Sequence, residues 1–100
     1  MDAQKLEFEL AEKIEQVISE SGMMYFTYNR GIEDRGDHVL AQIELKGSKH
    51  SFNTEFKFNK ADQTLSFSVL DSEGTPPQGA QDKLSSAMSS QPDLIVSLFL

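Results

Sequence analysis

Three segments of the chain alternate apolar and polar residues with a period of two, which is typical of strands that bury one face of a sheet. They read HVLAQIELK, SFNTEFKFN and TLSFSVL. The residues predicted to face the core are Val39, Ala41, Ile43, Leu45, Phe52, Thr54, Phe56, Phe58, Leu65, Phe67 and Val69. A fourth segment, the aromatic-rich MMYFTYNR, precedes them. Because the connections are short, the pattern predicts a four-stranded antiparallel meander.

The turns between these strands set their register, because residues directly opposite each other must share a face. A two-residue turn at Gly47-Ser48 predicts that Ile43 faces Phe52 and that Val39 faces Phe56. The pairs expected around a second turn, centred on residues 61–62, are Phe58 with Leu65, Phe56 with Phe67, and Thr54 with Val69. Both turns place the apolar residues on the same side of the sheet.

Segments with helical periodicity precede and follow the predicted sheet. Residues 4–21 place apolar side chains three and four apart along one stripe, and Gly22 supplies a stop. After the sheet, AQDKLSSAMSS predicts a helix, and the segment 94–100 after Pro92 is predicted as a short helix, with an edge strand as the alternative. The expected fold is α+β in two layers: an N-terminal helix, the meander and a C-terminal helix (α-β-β-β-β-α), as a single domain over residues 1–100.

The composition of the chain excludes several classes of protein. The chain has 100 residues and no cysteine, so it can bury a core without a disulfide framework or a cysteine-ligated zinc. Its N-terminus is acidic and amphipathic, unlike a secretory signal, and its longest apolar run, LIVSLFL, is too short to span a bilayer. We therefore expect a soluble, cytoplasmic protein with no membrane partner.

The charge is strongly acidic, with 16 acidic residues against nine basic ones and a net charge of −7. Phosphate backbones attract proteins of the opposite charge, so direct nucleic-acid binding is disfavoured. Such a charge either keeps a protein soluble or helps it to meet a basic partner protein.

The tripeptide Arg35-Gly36-Asp37 looks like an adhesion motif but lies between two predicted strands. Gly and Asp are the residues that a chain reversal needs, so we interpret it as a turn. The neighbouring acidic residues and His38 do not follow the calcium-loop spacing, and the chain has no phosphate loop and no nucleophile beside a base. We predict no catalytic residue, no metal and no cofactor, and therefore not an enzyme.

Several apolar residues fall outside the predicted core. Phe8 lies on the acidic face of the first helix, the first strand is apolar on both faces, and two leucines are out of phase with their strands. Either the chain ends and the segment 94–100 cover these residues, or they contact a partner or a second copy of the chain. The residues predicted to bind a partner are Phe8, Glu9, Glu12, Glu15, Tyr25, Leu40 and Leu70.

Three functional hypotheses from different classes follow. The first is a non-enzymatic protein-binding module, such as an adaptor, a secretion-chaperone-like protein or an inhibitor, with aromatic anchors. The alternative is an acidic mimic of nucleic acid, of the phage or mobile-element type, that blocks a basic groove. A small enzyme is the third and least supported. Salt separates the first two, because a charge-driven complex weakens steeply with ionic strength.

Overall fold

The computed structural model describes residues 3–100, which form one open sheet and three helices. In chain order these are α1 (Ala3–Glu20), β1 (Phe26–Asp34), β2 (His38–Lys46), β3 (His50–Asn59), β4 (Thr64–Gly74), α2 (Ala80–Ser90) and α3 (Pro92–Val96). Each strand pairs antiparallel with the next, in the spatial order β1-β2-β3-β4. The predicted α+β meander is confirmed, and the segment that follows Gln91 begins with a helix, as expected.

The helices pack on one side of the sheet, here called the covered face. The apolar stripe of α1 forms one core with the inward residues of β2 and β3. Among the strands, α1 lies nearest to β1, whereas α2 and α3 lie nearest to β4. The buried residues of this core are Leu10, Ile14, Val17, Ile18, Ala41, Ile43, Leu45, Phe52, Phe56, Leu84, Ala87, Met88 and Ile95. The opposite side, here called the open face, holds the alternate, more exposed residues of each strand.

The end of the chain packs against the core and does not cover the apolar residues that lie outside it. The ring of Phe99 stacks on that of Phe58, with 4.8 Å between centroids and 13° between planes. Phe8 and Leu70 stay exposed, at 66% and 53%. None of the helices within residues 3–100 is long and apolar enough to cross a membrane.

The register between β3 and β4 is the predicted one. Phe58 lies opposite Leu65, Phe56 opposite Phe67, and Thr54 opposite Val69. A bulge follows, since Asn53 pairs with Asp71 and leaves Leu70 as the extra residue of β4.

The register predicted between β2 and β3 is wrong by two residues. Phe52 lies opposite Leu45 and not Ile43, and Val39 lies opposite Phe58 and not Phe56. The turn is centred one residue later than predicted: the Gly47 amide donates to the His50 carbonyl oxygen over 2.8 Å, so Ser48 and Lys49 lie between them. A shift of two residues keeps every side chain on its predicted face, so the apolar pattern alone could not detect it.

The first strand begins and ends later than predicted. It runs over Phe26–Asp34 with a bulge at Arg30, so Glu33 and Asp34 belong to the strand and not to the loop. The Arg35-Gly36-Asp37 segment is the connection to β2, with Gly36 at φ 92° and the Arg35 amide donating to the His38 carbonyl oxygen. The interpretation of this tripeptide as a turn is confirmed.

Candidate protein-binding surface

A helix-ending motif sets the direction of the chain that enters β1. The Gly22 amide donates to the Ser19 carbonyl and the Met23 amide to the Ile18 carbonyl, over 3.0 and 3.2 Å. Gly22 has a φ of 81°, and this pair of hydrogen bonds around a left-handed glycine is the Schellman motif. Met23 is thereby turned onto the core beside Ile18, and Met24 is turned away from it, with 91% of its surface exposed.

Tyr25 anchors the same segment on its inner side. Its hydroxyl shares a hydrogen bond of 2.7 Å with His50 Nε2, and its ring lies edge-on to that of His50 at 5.3 Å. Burial raises the pKa of the Tyr25 hydroxyl above its usual value of 10.0. A Cβ at Gly47 would lie 2.9 Å from the His50 ring and 3.2 Å from that of Tyr25, so a larger residue there would force these rings to shift.

Two clefts flank the exposed Met24 side chain. The larger, of about 510 Å³, lies between the end of α1, the segment 23–26 and residues 46–48, with Glu15 and Lys46 among its lining residues. The smaller, of about 280 Å³, lies between the same segment, His50 and the start of α2. Met24 therefore stands as an apolar ridge between two open depressions.

The next two alternate residues of β1 extend this apolar surface onto the open face. Phe26 and Tyr28 lie opposite Lys46 and Glu44 of β2, and they are 72% and 46% exposed. Arg30 forms an ion pair with Glu44, and its guanidinium carbon lies 5.9 Å from the centroid of the Tyr28 ring. Met24, Phe26 and Tyr28 are here called the β1 anchor.

The predicted helical residues lie beside β1, on the side of the covered face. The Asn29 amide group donates to the Glu7 carbonyl, next in sequence to Phe8, and Thr27 donates to the Glu15 carboxylate over 2.7 Å. Glu12 and Glu15 are exposed, and Glu9 is half-buried. Phe8 is exposed as predicted, but it belongs to the helix layer, whereas Phe26 and Tyr28 belong to the open face.

The remaining predicted residues do not join this surface. Tyr25 is partly buried against the core, so the exposed aromatic side chains here are its neighbours in β1. Leu40 lies in the row of Glu33 and Lys57. At about 3.3 Å per residue and 4.8 Å per strand, Leu40 and Leu70 are roughly 16 Å apart, so they do not form one patch.

Two pairs of polar and charged side chains lie at the far end of the sheet, near the β1–β2 turn. Lys60 Nζ donates to both carboxylate oxygens of Asp34 over 2.8 and 3.0 Å, and this contact lowers the pKa of Asp34. Hydrogen bonding to His38 over 2.6 Å lowers the pKa of Asp37 in the same way. Within residues 3–100, no group of three or more His, Cys, Asp or Glu side chains is placed to hold a metal ion.

Sequence reasoning named none of the three members of the β1 anchor as a partner-binding residue, for identifiable reasons. Tyr28 follows the same alternation as Phe26, but the register to β2 that exposes both could not be derived before the strand's start was known. Met24 is set outward by the Schellman motif, of which only Gly22 is visible in the sequence.

No protein-family model matches the chain, and neither a curated protein nor a solved structure matches it significantly. The geometry of the surface is therefore the basis for the function proposed below.

Proposed function

We propose that the chain is a small, non-enzymatic protein-binding module that engages its partner through the β1 anchor. The observation that carries the proposal is that the exposed Met24 and Phe26 line the 510 Å³ cleft at the end of α1, and that Tyr28 is the next outward residue of the same strand. Large apolar side chains beside an open depression, rimmed by charged groups, are what the energetic centres of protein interfaces consist of. An adaptor, an inhibitor or a chaperone-like protein would all use such a surface.

The shape of the surface indicates what the partner presents. A side chain of the partner would enter the larger cleft between Met24 and the end of α1, while Phe26 and Tyr28 lie flat against an apolar segment. The exposed carboxylates of Glu12 and Glu15 on the neighbouring helix favour a partner with Lys or Arg beside that segment. Phe8 would contact the partner only if it wraps around the edge of β1 onto the helix layer.

The acidic nucleic-acid mimic remains the alternative that the experiment must address. A mimic needs carboxylates concentrated on one surface, because it imitates closely spaced phosphates. On the open face the register instead intersperses Glu44 and Glu55 with Lys46 and Lys57, and Glu44 is paired with Arg30. This mixture of charges favours the apolar anchor.

The test is capture of a partner from native cells by the wild-type chain, followed by binding kinetics with three variants. Phe26→Ser/Tyr28→Ser removes the anchor, Leu70→Ser removes an equally exposed apolar side chain elsewhere on the open face, and Glu9→Lys/Glu12→Lys/Glu15→Lys reverses the helical charge. We expect the first variant to dissociate at least about tenfold faster, the second to bind as wild type, and the third mainly to associate more slowly.

Two outcomes would overturn the proposal. One is a partner that Phe26→Ser/Tyr28→Ser binds as well as the wild type does. The other is binding that the charge reversal abolishes and that vanishes between low and high salt, which would identify the acidic mimic. Circular dichroism of each variant confirms that the fold is unchanged.

A further inference from the structure

The two edges of the sheet differ in how they are protected against pairing with another chain. Along β1 the ladder is broken by a bulge at Arg30, with Gly31 at φ 138°, and the strand ends in Glu33 and Asp34. Bulges and charged residues are the usual devices that stop an edge strand from pairing. Along β4, residues 64–70 read TLSFSVL, without charge, proline or glycine, and pair regularly with β3 up to Val69.

At the β4 edge, the apolar side chains of the covered face are only partly buried. Phe58, Phe56 and Thr54 of β3 are 1–2% exposed. Their partners on β4, Leu65, Phe67 and Val69, remain half-buried although they belong to the same rows. An apolar row that is half-exposed beside an unpaired strand is a surface that another strand would complete.

We propose that this edge pairs with the β4 edge of a second copy of the chain, antiparallel and around a two-fold axis at Phe67. In that register Phe67 lies opposite its own equivalent, Leu65 opposite Val69 of the second copy, and Ser66 opposite Ser68. The apolar side chains of both copies then share the covered side, and only small hydroxyl groups oppose each other on the open side. The two sheets become one of eight strands.

Charge and register together favour a second copy over an unrelated strand. A chain with a net charge of −7 repels itself over most of its surface, but residues 64–70 carry no charge on either copy. Moving the axis to Ser68 would place Leu65 opposite Asp71, and moving it to Ser66 would place Val69 opposite Gln63. The strand therefore matches itself best in the register centred on Phe67.

The test is sedimentation equilibrium from about 1 µM to 1 mM, the affinity range of small interfaces. We expect a reversible species of twice the 11.2 kDa chain mass. Four double variants at the exposed Ser66 and Ser68 then test the register. Ser66→Glu/Ser68→Lys and Ser66→Lys/Ser68→Glu place opposite charges across the axis, whereas Ser66→Glu/Ser68→Glu and Ser66→Lys/Ser68→Lys place like charges there.

We expect the dimer dissociation constants of the two like-charge variants to be at least about tenfold higher than those of the two opposite-charge variants. Within one chain Ser66 faces Lys57 and Ser68 faces Glu55, so the two opposite-charge variants differ in their contacts to β3 but should dimerise alike. The double lysine variant is the most informative, because it lowers the net negative charge and should still weaken the dimer.

A chain that stays monomeric throughout the range would overturn the proposal. So would a dimer whose dissociation follows net charge, with the double lysine variant the tightest, because that dimer would use another surface. Phe26→Ser/Tyr28→Ser should leave the dimer unchanged, since the β1 anchor lies at the opposite edge of the sheet. This separates the outcome from that of the partner-binding proposal.

Discussion

The covered and open faces of the sheet carry the same kinds of side chain in opposite circumstances. On the covered face, Phe52 and Phe56 are 1% exposed and packed under α1 and α2. On the open face, Phe26 and Tyr28 are 72% and 46% exposed, beside an ion pair and an open cleft. The two faces should therefore respond differently to substitution. Removing an aromatic ring from the covered face should lower the stability of the fold, whereas removing one from the open face should weaken only partner binding.

The separation arises from how the helices are placed. The apolar stripe of α1 shares one core with the inward residues of β2 and β3, which are almost fully buried. The β1 strand is the strand nearest to α1, and its inward residues Thr27 and Asn29 are polar and hydrogen-bonded to that helix. Substitutions can therefore test each face with little effect on the other.

The largest effect should come from the covered face. Phe56→Ala removes a fully buried ring that lies 5.0 Å from the ring of Phe67, and leaves a cavity under the helices. We expect a loss of about 3–5 kcal/mol in the free energy of unfolding, because both the burial and the packing are lost. Urea unfolding followed by circular dichroism measures it. A loss below about 1 kcal/mol would mean that the covered face is not the core.

A smaller effect should come from the polar side chain within the same face. Thr54 is buried, and its hydroxyl donates to the Ile43 carbonyl oxygen over 2.8 Å. Thr54→Val keeps the shape and removes this donor, so we expect a loss of about 1 kcal/mol. Thr54→Ser, which keeps the donor and loses a methyl group, is the matched control. Stabilisation by the valine would show that the hydroxyl contributes nothing here.

The smallest stability change among the apolar substitutions should come from the exposed aromatic side chain of α1. Phe8→Ala removes a ring that is 66% exposed, and alanine favours the helix slightly, so the unfolding free energy should change by less than about 0.5 kcal/mol. Leu10→Ala on the buried stripe of the same helix is the control and should cost about 2–5 kcal/mol. A Phe8 variant as unstable as the Leu10 variant would place Phe8 in the core.

The alternation of apolar residues was enough to predict the covered face but not the pairing within it. Period two assigns Ile43 and Phe52 to the same side in any register that differs by an even number of residues. The observed register depends on the loop after Gly47, where His50 meets Tyr25 from a distant part of the chain. Contacts between residues far apart in sequence are not visible in a local pattern, whereas the β3–β4 turn needed none and was predicted correctly.

The candidate surface shows the same limit. The position of Phe8 follows from helical geometry alone, and its exposure was predicted. The exposure of Met24 depends on the hydrogen bonds around Gly22, and the burial of Tyr25 depends on its contact with His50. A residue beside a chain reversal can face either way, so its role cannot be assigned before the reversal is known.

The pH dependence of stability should arise outside the buried core, because the buried polar side chains within residues 3–100 are only Ser51 and Thr54. Asp34 is the clearest source, since the hydrogen bonds from Lys60 lower its pKa below 3.8. A carboxyl group whose pKa is lower in the folded than in the unfolded state stabilises the fold above the unfolded pKa. This contribution is present at neutral pH and is lost as the pH falls through the folded pKa.

We therefore expect the urea midpoint to fall as the pH is lowered from about 5 to 3, and Asp34→Asn to make this decrease shallower. Both groups are exposed, so the effect on stability should be smaller than that of the substitutions in the buried core. Lys60→Met removes the partner and should flatten the profile to a similar degree, whereas the double variant should add little to either. If Lys60→Met leaves the profile as steep as in the wild type, the ion pair is not the cause. An acid sensitivity much larger than that of an exposed pair would mean that an ionisable group contributes to the buried core after all.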